Sequence, residues 1–195
     1  MQQVVGLVGY IASGKSTVSE HFIDRDFKYY KLSDAIRREC EKKGLEITRV
    51  NLQNVGNQLR EQHSGSVLAQ KTLEAAQDDK LVIIDGIRNP EEIEYLREHA
   101  QAFIVGVVAP QYVRLERYIK RAQERGEDGM TKAAFYRANQ REKGIGEDEN
   151  GQQVGACLEM VDYTIENTGS LDNLLMDCEE LIQSNFLNGD IPVIE

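Results

Sequence analysis

A lysine and a serine directly after a glycine, with another glycine upstream, form a group of residues suited to handling phosphate. The stretch Gly9-Tyr10-Ile11-Ala12-Ser13-Gly14-Lys15-Ser16, followed by Thr17, fits G-x-x-x-x-G-K-[ST], the phosphate-binding loop pattern. Gly9 and Gly14 let the backbone curl close to a polyphosphate, so that successive N–H groups through Ala12, Ser13 and Gly14 face its oxygens. Lys15 is placed to reach the β- and γ-phosphates, and the Ser16 hydroxyl to ligate Mg²⁺. Thr17 opens a helix whose positive end adds to the attraction. These residues predict binding of a nucleoside triphosphate, with ATP and Mg²⁺ as the expected pair.

The motif needs a strand before it and a helix after it, and both are legible. Val4-Val5-Gly6-Leu7-Val8 is a short apolar run typical of a buried parallel strand. Val18, Phe22 and Ile23 give Thr17 to Asp24 a helical spacing. Further on, Leu81-Val82-Ile83-Ile84 predicts another buried strand, ending at a turn of Asp85 and Gly86. A carboxylate at that strand end, beside the loop, is placed to hold Mg²⁺, so Asp85 joins Ser16 as an expected metal residue.

The remaining elements follow from apolar periodicity and breakers. Strands are expected over 27–32, 103–108 and 163–165, alongside 4–8 and 81–84. Helices are expected over 35–43 with Ser33 as N-cap, 47–63, 67–76, 90–99 opened by Pro90, 111–125, 131–143, and from Leu171 onward. Gly126 to Gly129 and Gly144 to Gly151 read as polar breaks, and 188–195 as a loosely ordered tail. Strands alternating with helices predict one α/β domain, with a five-stranded parallel sheet covered on both faces.

Composition limits the partners. The chain has 195 residues and 41% hydrophobic content, enough for a single core. Its net charge of −10 argues against a broad nucleic-acid surface, while a small anion held by local cations remains compatible. No stretch approaches the ~20 apolar residues of a membrane span, and no secretory signal is visible. Cys40, Cys157 and Cys178 lack metal-ligand spacing, and reduced thiols predict a cytoplasmic location.

The chain resembles the P-loop nucleoside monophosphate kinases and their relatives, adenylate kinase-related proteins and dephospho-CoA kinases. Ser33-Asp34-Ala35-Ile36-Arg37 is similar to the Gly-Asp-x-x-Arg element after the second strand of those kinases, with serine in the glycine position. Asp85-Gly86-Ile87-Arg88 is similar to their Asp-Gly-Phe-Pro-Arg stretch, with the arginine one residue early. The segment from Tyr163 to Leu171 resembles the one beside the adenine ring, which makes Asn167 and Gly169 expected nucleotide contacts. The resemblance implies a three-layer P-loop NTPase fold with an acceptor-binding helical insertion over about 35–78 and a lid over about 126–151.

It also implies roles that match a physical need. Bringing an anionic acceptor to the γ-phosphate sets two polyanions together, so positioning and charge neutralisation are most of the catalysis required. Arg37, Arg60 and Arg88 are expected at the acceptor, and Arg137 and Arg141 in the lid. Arg114, Arg117, Arg121 and Arg125 form one helical stripe; Arg117 and Arg121 are expected at the nucleotide, Arg114 and Arg125 at the surface. Lys15, Asp34, Arg88 and Arg121 are the expected catalytic set. Asp34 divides the acceptors. A nucleoside or deoxynucleoside monophosphate brings its own anionic nucleophile, whereas the 3′-hydroxyl of dephospho-CoA would use a carboxylate as base. Dephospho-CoA kinases carry Asp-x-Asp here, and Leu32 stands at the first of those positions. A nucleotide switch or ATPase without a second substrate is the alternative from another class.

Overall fold

The computed structural model describes residues 2–125, 131–146 and 151–186. The strands are β1 (Gln3–Val8), β2 (Lys28–Lys31), β3 (Leu81–Ile87), β4 (Gln101–Val108) and β5 (Tyr163–Glu166). They form one sheet in the order β2-β3-β1-β4-β5, and every pairing is parallel. β1 therefore lies in the middle, and its C-terminal end opens into the glycine loop. The helices are α1 (Lys15–Ile23), α2 (Leu32–Lys42), α3 (Arg49–Gln62), α4 (Val67–Ala75), α5 (Pro90–His99), α6 (Gln111–Arg125), α7 (Lys132–Glu142), α8 (Val154–Leu158) and α9 (Leu171–Asn185).

Alternation along the strands explains the three layers. Val4 and Val8 face one core with Ile36, Leu59, Leu68, Ile93 and Cys157, which brings α2 to α5 and α8 onto that side. Val5 and Leu7 face the opposite core with Val18, Phe22, Leu174, Leu181 and Phe186, so α1 and α9 cover that side. A third, small cluster of Ala12, Tyr118 and Phe135 joins α6 and α7 to the loop after β1. Among the described residues, no helix is long and apolar enough to cross a membrane.

Several boundaries differ from the sequence expectation. α2 begins at Leu32 with Lys31 at its N-cap, so Ser33 is not the cap and lies inside the first turn. The reason is Leu32, 1% exposed, which is drawn into the core as soon as β2 ends. β3 does not stop at Asp85 but runs on to Ile87, through a register shift that pairs Leu7 with Asp85 and Val8 with Ile87. This bulge sets the Asp85 side chain at the rim of the sheet. α8 was not expected; five residues with Val154 and Cys157 buried are too few to show a period. Pro90 opens α5 as expected, with Asn89 as the N-cap and Glu92 completing a capping box, and α9 is capped by Ser170, whose side chain accepts from Asn173 N. The breaks at 126–130 and 147–150 and the tail 188–195 lie outside the described residues.

Candidate active site

The glycine loop is shaped by close approach on both flanks. Gly14 has a φ of 110°, and a Cβ on it would collide with the Asn167 amide. A Cβ on Gly9 would collide with the Val107 carbonyl of β4. Glycine is thus required at both motif positions by backbone geometry. Between them Ala12 is held at a φ of 59°, a conformation a non-glycine residue keeps only when its surroundings fix it. Asn167 Nδ2 donates to Ser13 O at 2.9 Å, and Arg117 donates to Ser13 O at 3.3 Å and to Asn167 Oδ1 at 3.0 Å. Arg117 and Asn167 brace the loop from the side of β5, while Gly169 lies exposed in the turn before α9.

Inside the loop, Lys15 Nζ donates to Gly9 O at 2.6 Å and Tyr10 O at 3.3 Å. Burial pushes its pKa below the ordinary lysine value, and the carboxylates of Asp85 and Glu142 act in the opposite direction. Asp85 Oδ2 accepts from the Tyr29 hydroxyl at 3.1 Å. Burial and that carboxylate push the Tyr29 phenol up, so it stays protonated and remains a donor. Asp85 Oδ1 is buried without a hydrogen-bond partner among the described residues. An orphaned carboxylate oxygen beside the loop and the exposed Ser16 hydroxyl fit Mg²⁺, a hard cation that takes few protein ligands alongside phosphate oxygens. Among the described residues, no group of three or more acidic, histidine or cysteine side chains forms an all-protein metal cage.

A cleft of about 510 Å³ opens in front of the loop, lined by Lys15, Ser16, Asp85, Arg37, Arg88 and Arg121, with an apolar wall that includes Leu32 and Ile36. Arg88 is oriented by Gln152 Oε1 at 2.8 Å and lies 3.7 Å from Glu142 Oε1. Arg121 has no carboxylate partner among the described residues. Arg60 also lines the cleft, yet it is 4% exposed and its guanidinium is engaged with the fully buried Glu92, with Nη2 to Oε1 at 2.8 Å. Arg141 donates to Gln53, a cleft residue, at 2.5 Å. Arg137 is exposed on α7, away from the cleft lining.

Asp34 is likewise outside the lining. Because α2 starts at Leu32, Ser33, Ile36 and Arg37 share the cleft-facing side, and Asp34 is rotated off it, half-exposed and 4.0 Å from Arg37. Arg114, expected at the surface, is 4% exposed. It donates to Ile11 O, Ala109 O and Asn139 Oδ1 and stacks over the Tyr10 ring, while burial lowers its pKa. The Arg125 side chain lies outside the described residues.

Sequence inspection missed Glu142, a 3%-exposed carboxylate at the end of α7 whose Oε2 accepts from Ile11 N at 2.6 Å. It missed Tyr29 as the partner of Asp85, and Gln152 as the partner of Arg88. A signal for Glu142 existed: Phe135, Ala138, Asn139 and Glu142 fall on one face of α7, and all are buried. A polar residue continuing an apolar face marks a buried contact.

A family model described as an AAA domain matches residues 5–143 of the chain. The UPF0200 protein of Aeropyrum pernix is 31% identical over 189 residues, covering 96% of each chain. Among solved structures, TT1252 from Thermus thermophilus superposes with a TM-score of 0.60 at 16% identity, covering 94% of this chain and 98% of its own. Shikimate kinase from Acinetobacter baumannii, in complex with shikimate, gives a TM-score of 0.58 at 20% identity, with 96% of each chain covered. At these identities the likeness to the solved structures is one of fold, the P-loop kinase-like fold.

Proposed function

The chain belongs to the AAA-domain family and to the UPF0200 proteins, and from that premise we propose that it is an ATP-dependent phosphotransferase acting on a nucleoside or deoxynucleoside monophosphate. The observation that carries this proposal is the set of arginines facing the loop across the cleft. Arg37, Arg88 and Arg121 add cationic charge beyond Lys15, and a triphosphate with its metal does not call for that much. A second phosphate does.

In this mechanism the backbone N–H groups of the loop and the Lys15 ammonium hold the β- and γ-phosphates. Ser16 and Asp85 would hold Mg²⁺, which when bound would supply charge neutralisation on the phosphate oxygens. Arg88 and Arg37 orient the acceptor phosphate for in-line attack, and Arg121 stabilises the charge on the transferring group. The acceptor's own oxygen is already anionic, so no general base is required. The helices of 35–78 then serve as the acceptor arm and α7 as the lid helix, with Arg141 linking it to Gln53 of that arm. A hydroxyl acceptor such as dephospho-CoA would draw on Asp34 as base, and the position of Asp34 outside the cleft lining favours the phosphate acceptor.

A coupled ADP-release assay with Mg·ATP, run separately with AMP, CMP, dCMP, UMP, GMP, dTMP, dephospho-CoA and shikimate, tests this. Stimulation by one monophosphate well above basal hydrolysis is the expected result. Stimulation by dephospho-CoA or shikimate alone overturns the phosphate-acceptor assignment, and an unstimulated basal rate in every case points to a nucleotide switch.

A further inference from the structure

We propose that Glu142 is a positioning residue that couples α7 to the phosphate loop by holding Ile11 through its backbone N–H; the proposal rests on the nucleotide-binding part of the function proposed above. Ile11 is gripped from both sides by side chains outside the loop. Its N–H donates to Glu142 Oε2 at 2.6 Å, and its carbonyl accepts from Arg114 Nη1 at 3.2 Å. Among the described residues, the Ile11 N–H has no backbone acceptor. The two gripping side chains come from different helices, and Arg114 is tied back to α7 through Asn139 Oδ1 at 2.8 Å, one turn before Glu142. Arg114 also lies over the rings of Tyr10 and Phe135, at 5.0 and 5.7 Å.

The physical argument is reciprocal. Glu142 is 3% exposed, so its charge must find donors when α7 docks, and Ile11 N–H and Arg88 Nη2 are the ones it meets. α7 thus seats fully only when the loop is in this conformation. Conversely, the next loop residue, Ala12, sits at a φ of 59°, a strained conformation that needs outside support. The grip on Ile11 and the packing of Ala12 against Phe135 and Tyr118 supply it. The order of the phosphate-facing N–H groups therefore depends on the seating of α7. The same carboxylate lies 3.7 Å from Arg88, so one side chain sets both the loop and an acceptor-side arginine.

The test uses the full chain without any acceptor. Amide hydrogen exchange of ¹⁵N-labelled protein reads the Ile11 N–H directly, and titration with Mg²⁺ and the non-hydrolysable analogue AMP-PNP reads loop order. In the wild type the Ile11 amide exchanges at least about tenfold slower than an unprotected amide, since a hydrogen bond to a charged group is worth that much or more. Glu142→Ala removes this protection and weakens AMP-PNP binding about tenfold or more. Glu142→Gln keeps an acceptor oxygen in a side chain of the same shape, retains the protection, and binds within about threefold of wild type. Fast exchange of Ile11 in the wild type overturns the proposal without any variant. So does a Glu142→Gln protein as defective as Glu142→Ala, or a Glu142→Ala protein with unchanged exchange and affinity. If no acceptor is ever phosphorylated, the acceptor assignment fails while this result stands. If AMP-PNP binds no variant and not the wild type, the nucleotide assignment fails and the exchange measurement still decides the grip.

Discussion

Replacing Glu92 by glutamine probes the joint between the helical insertion and the end of β3. Glu92 is fully buried and serves two sets of donors. Its Oε1 accepts from Arg60 Nη2 at 2.8 Å and Nε at 3.3 Å, and its Oε2 accepts from Arg88 N at 2.8 Å and Asn89 N at 3.1 Å. A glutamine offers one acceptor oxygen, so its amide group must face either the guanidinium or the helix-start N–H pair. In both orientations buried donors lose their partner, and the Arg60 cation, 4% exposed, loses its counter-charge. Removing one member of a buried ion pair costs about 3–5 kcal/mol. For a chain of this length that corresponds to a fall in Tm of about 6–20 °C.

Arg60→Met strands the opposite charge and is expected to cost a similar amount. In the double variant both charges are gone, and the glutamine oxygen remains for Arg88 N and Asn89 N. Its loss falls short of the sum of the single losses by about 2 kcal/mol or more, the coupling expected of a buried contact pair. Urea unfolding of the four proteins at pH 7, followed by far-UV circular dichroism and extrapolated linearly, measures the cycle. Additivity within about 0.5 kcal/mol refutes the reasoning. So does a single loss below about 1 kcal/mol, which would make the pair behave as an exposed one.

Two further outcomes follow from the site and the core. Lys15→Met abolishes ADP release without lowering Tm: burial depresses the Lys15 pKa, so at every pH below its unfolded value the ammonium detracts from stability, and methionine removes that penalty. A clear drop in Tm would refute this assignment of the sign. Burial raises the Cys157 thiol far above its ordinary range, and pushes Cys178 up to about 12, so neither forms appreciable thiolate at pH 8. Ellman's reagent is expected to label neither in the native protein and both in guanidinium chloride; fast native labelling of either would contradict its burial.

What the sequence disclosed and what it concealed divide along a physical line. The three central strands were legible because a buried parallel strand is an uninterrupted apolar run, as in Leu81 to Ile84 or Phe103 to Val108. The edge strands β2 and β5 were marked instead by their aromatic and β-branched residues, Tyr29 and Tyr30 in one and Tyr163, Thr164 and Ile165 in the other. The loop was legible because backbone geometry demands glycine at positions 9 and 14. The start of α2 was misplaced by three residues, from Ala35 to Leu32, and this small shift matters most to the site. At about 100° per residue, it decides that Ser33 and Arg37 face the cleft and Asp34 does not. Glu92 was hidden because its partner Arg60 is distant in the chain, and Glu142 showed only as the continuation of the buried face of α7, with its partner Ile11 equally distant. Each carboxylate also accepts backbone N–H groups, Glu92 from Arg88 and Asn89 and Glu142 from Ile11, and those donors have no side-chain identity to notice.

The stripe on α6 shows how one regular pattern yields three different roles. Arg114, Arg117 and Arg121 lie on one face of a single helix, and a rise of about 1.5 Å per residue spreads them over about 10 Å. Spread over that distance, the three guanidinium groups meet different parts of the site. Arg114, nearest β4, reaches under the loop to Ile11 O and becomes part of the core. Arg117, one turn on, meets Ser13 O and Asn167 and braces the loop where it turns into α1. Arg121, one turn further, has passed the loop and enters the cleft. The spacing specifies a shared face, and the position of α6 beside the loop assigns each place along it. Moving α6 by a single turn would leave the stripe intact in sequence, yet put a buried structural arginine where the cleft requires an available one. The small Ala12–Tyr118–Phe135 cluster that fixes α6 against the loop is therefore as much a determinant of the site as the arginines themselves.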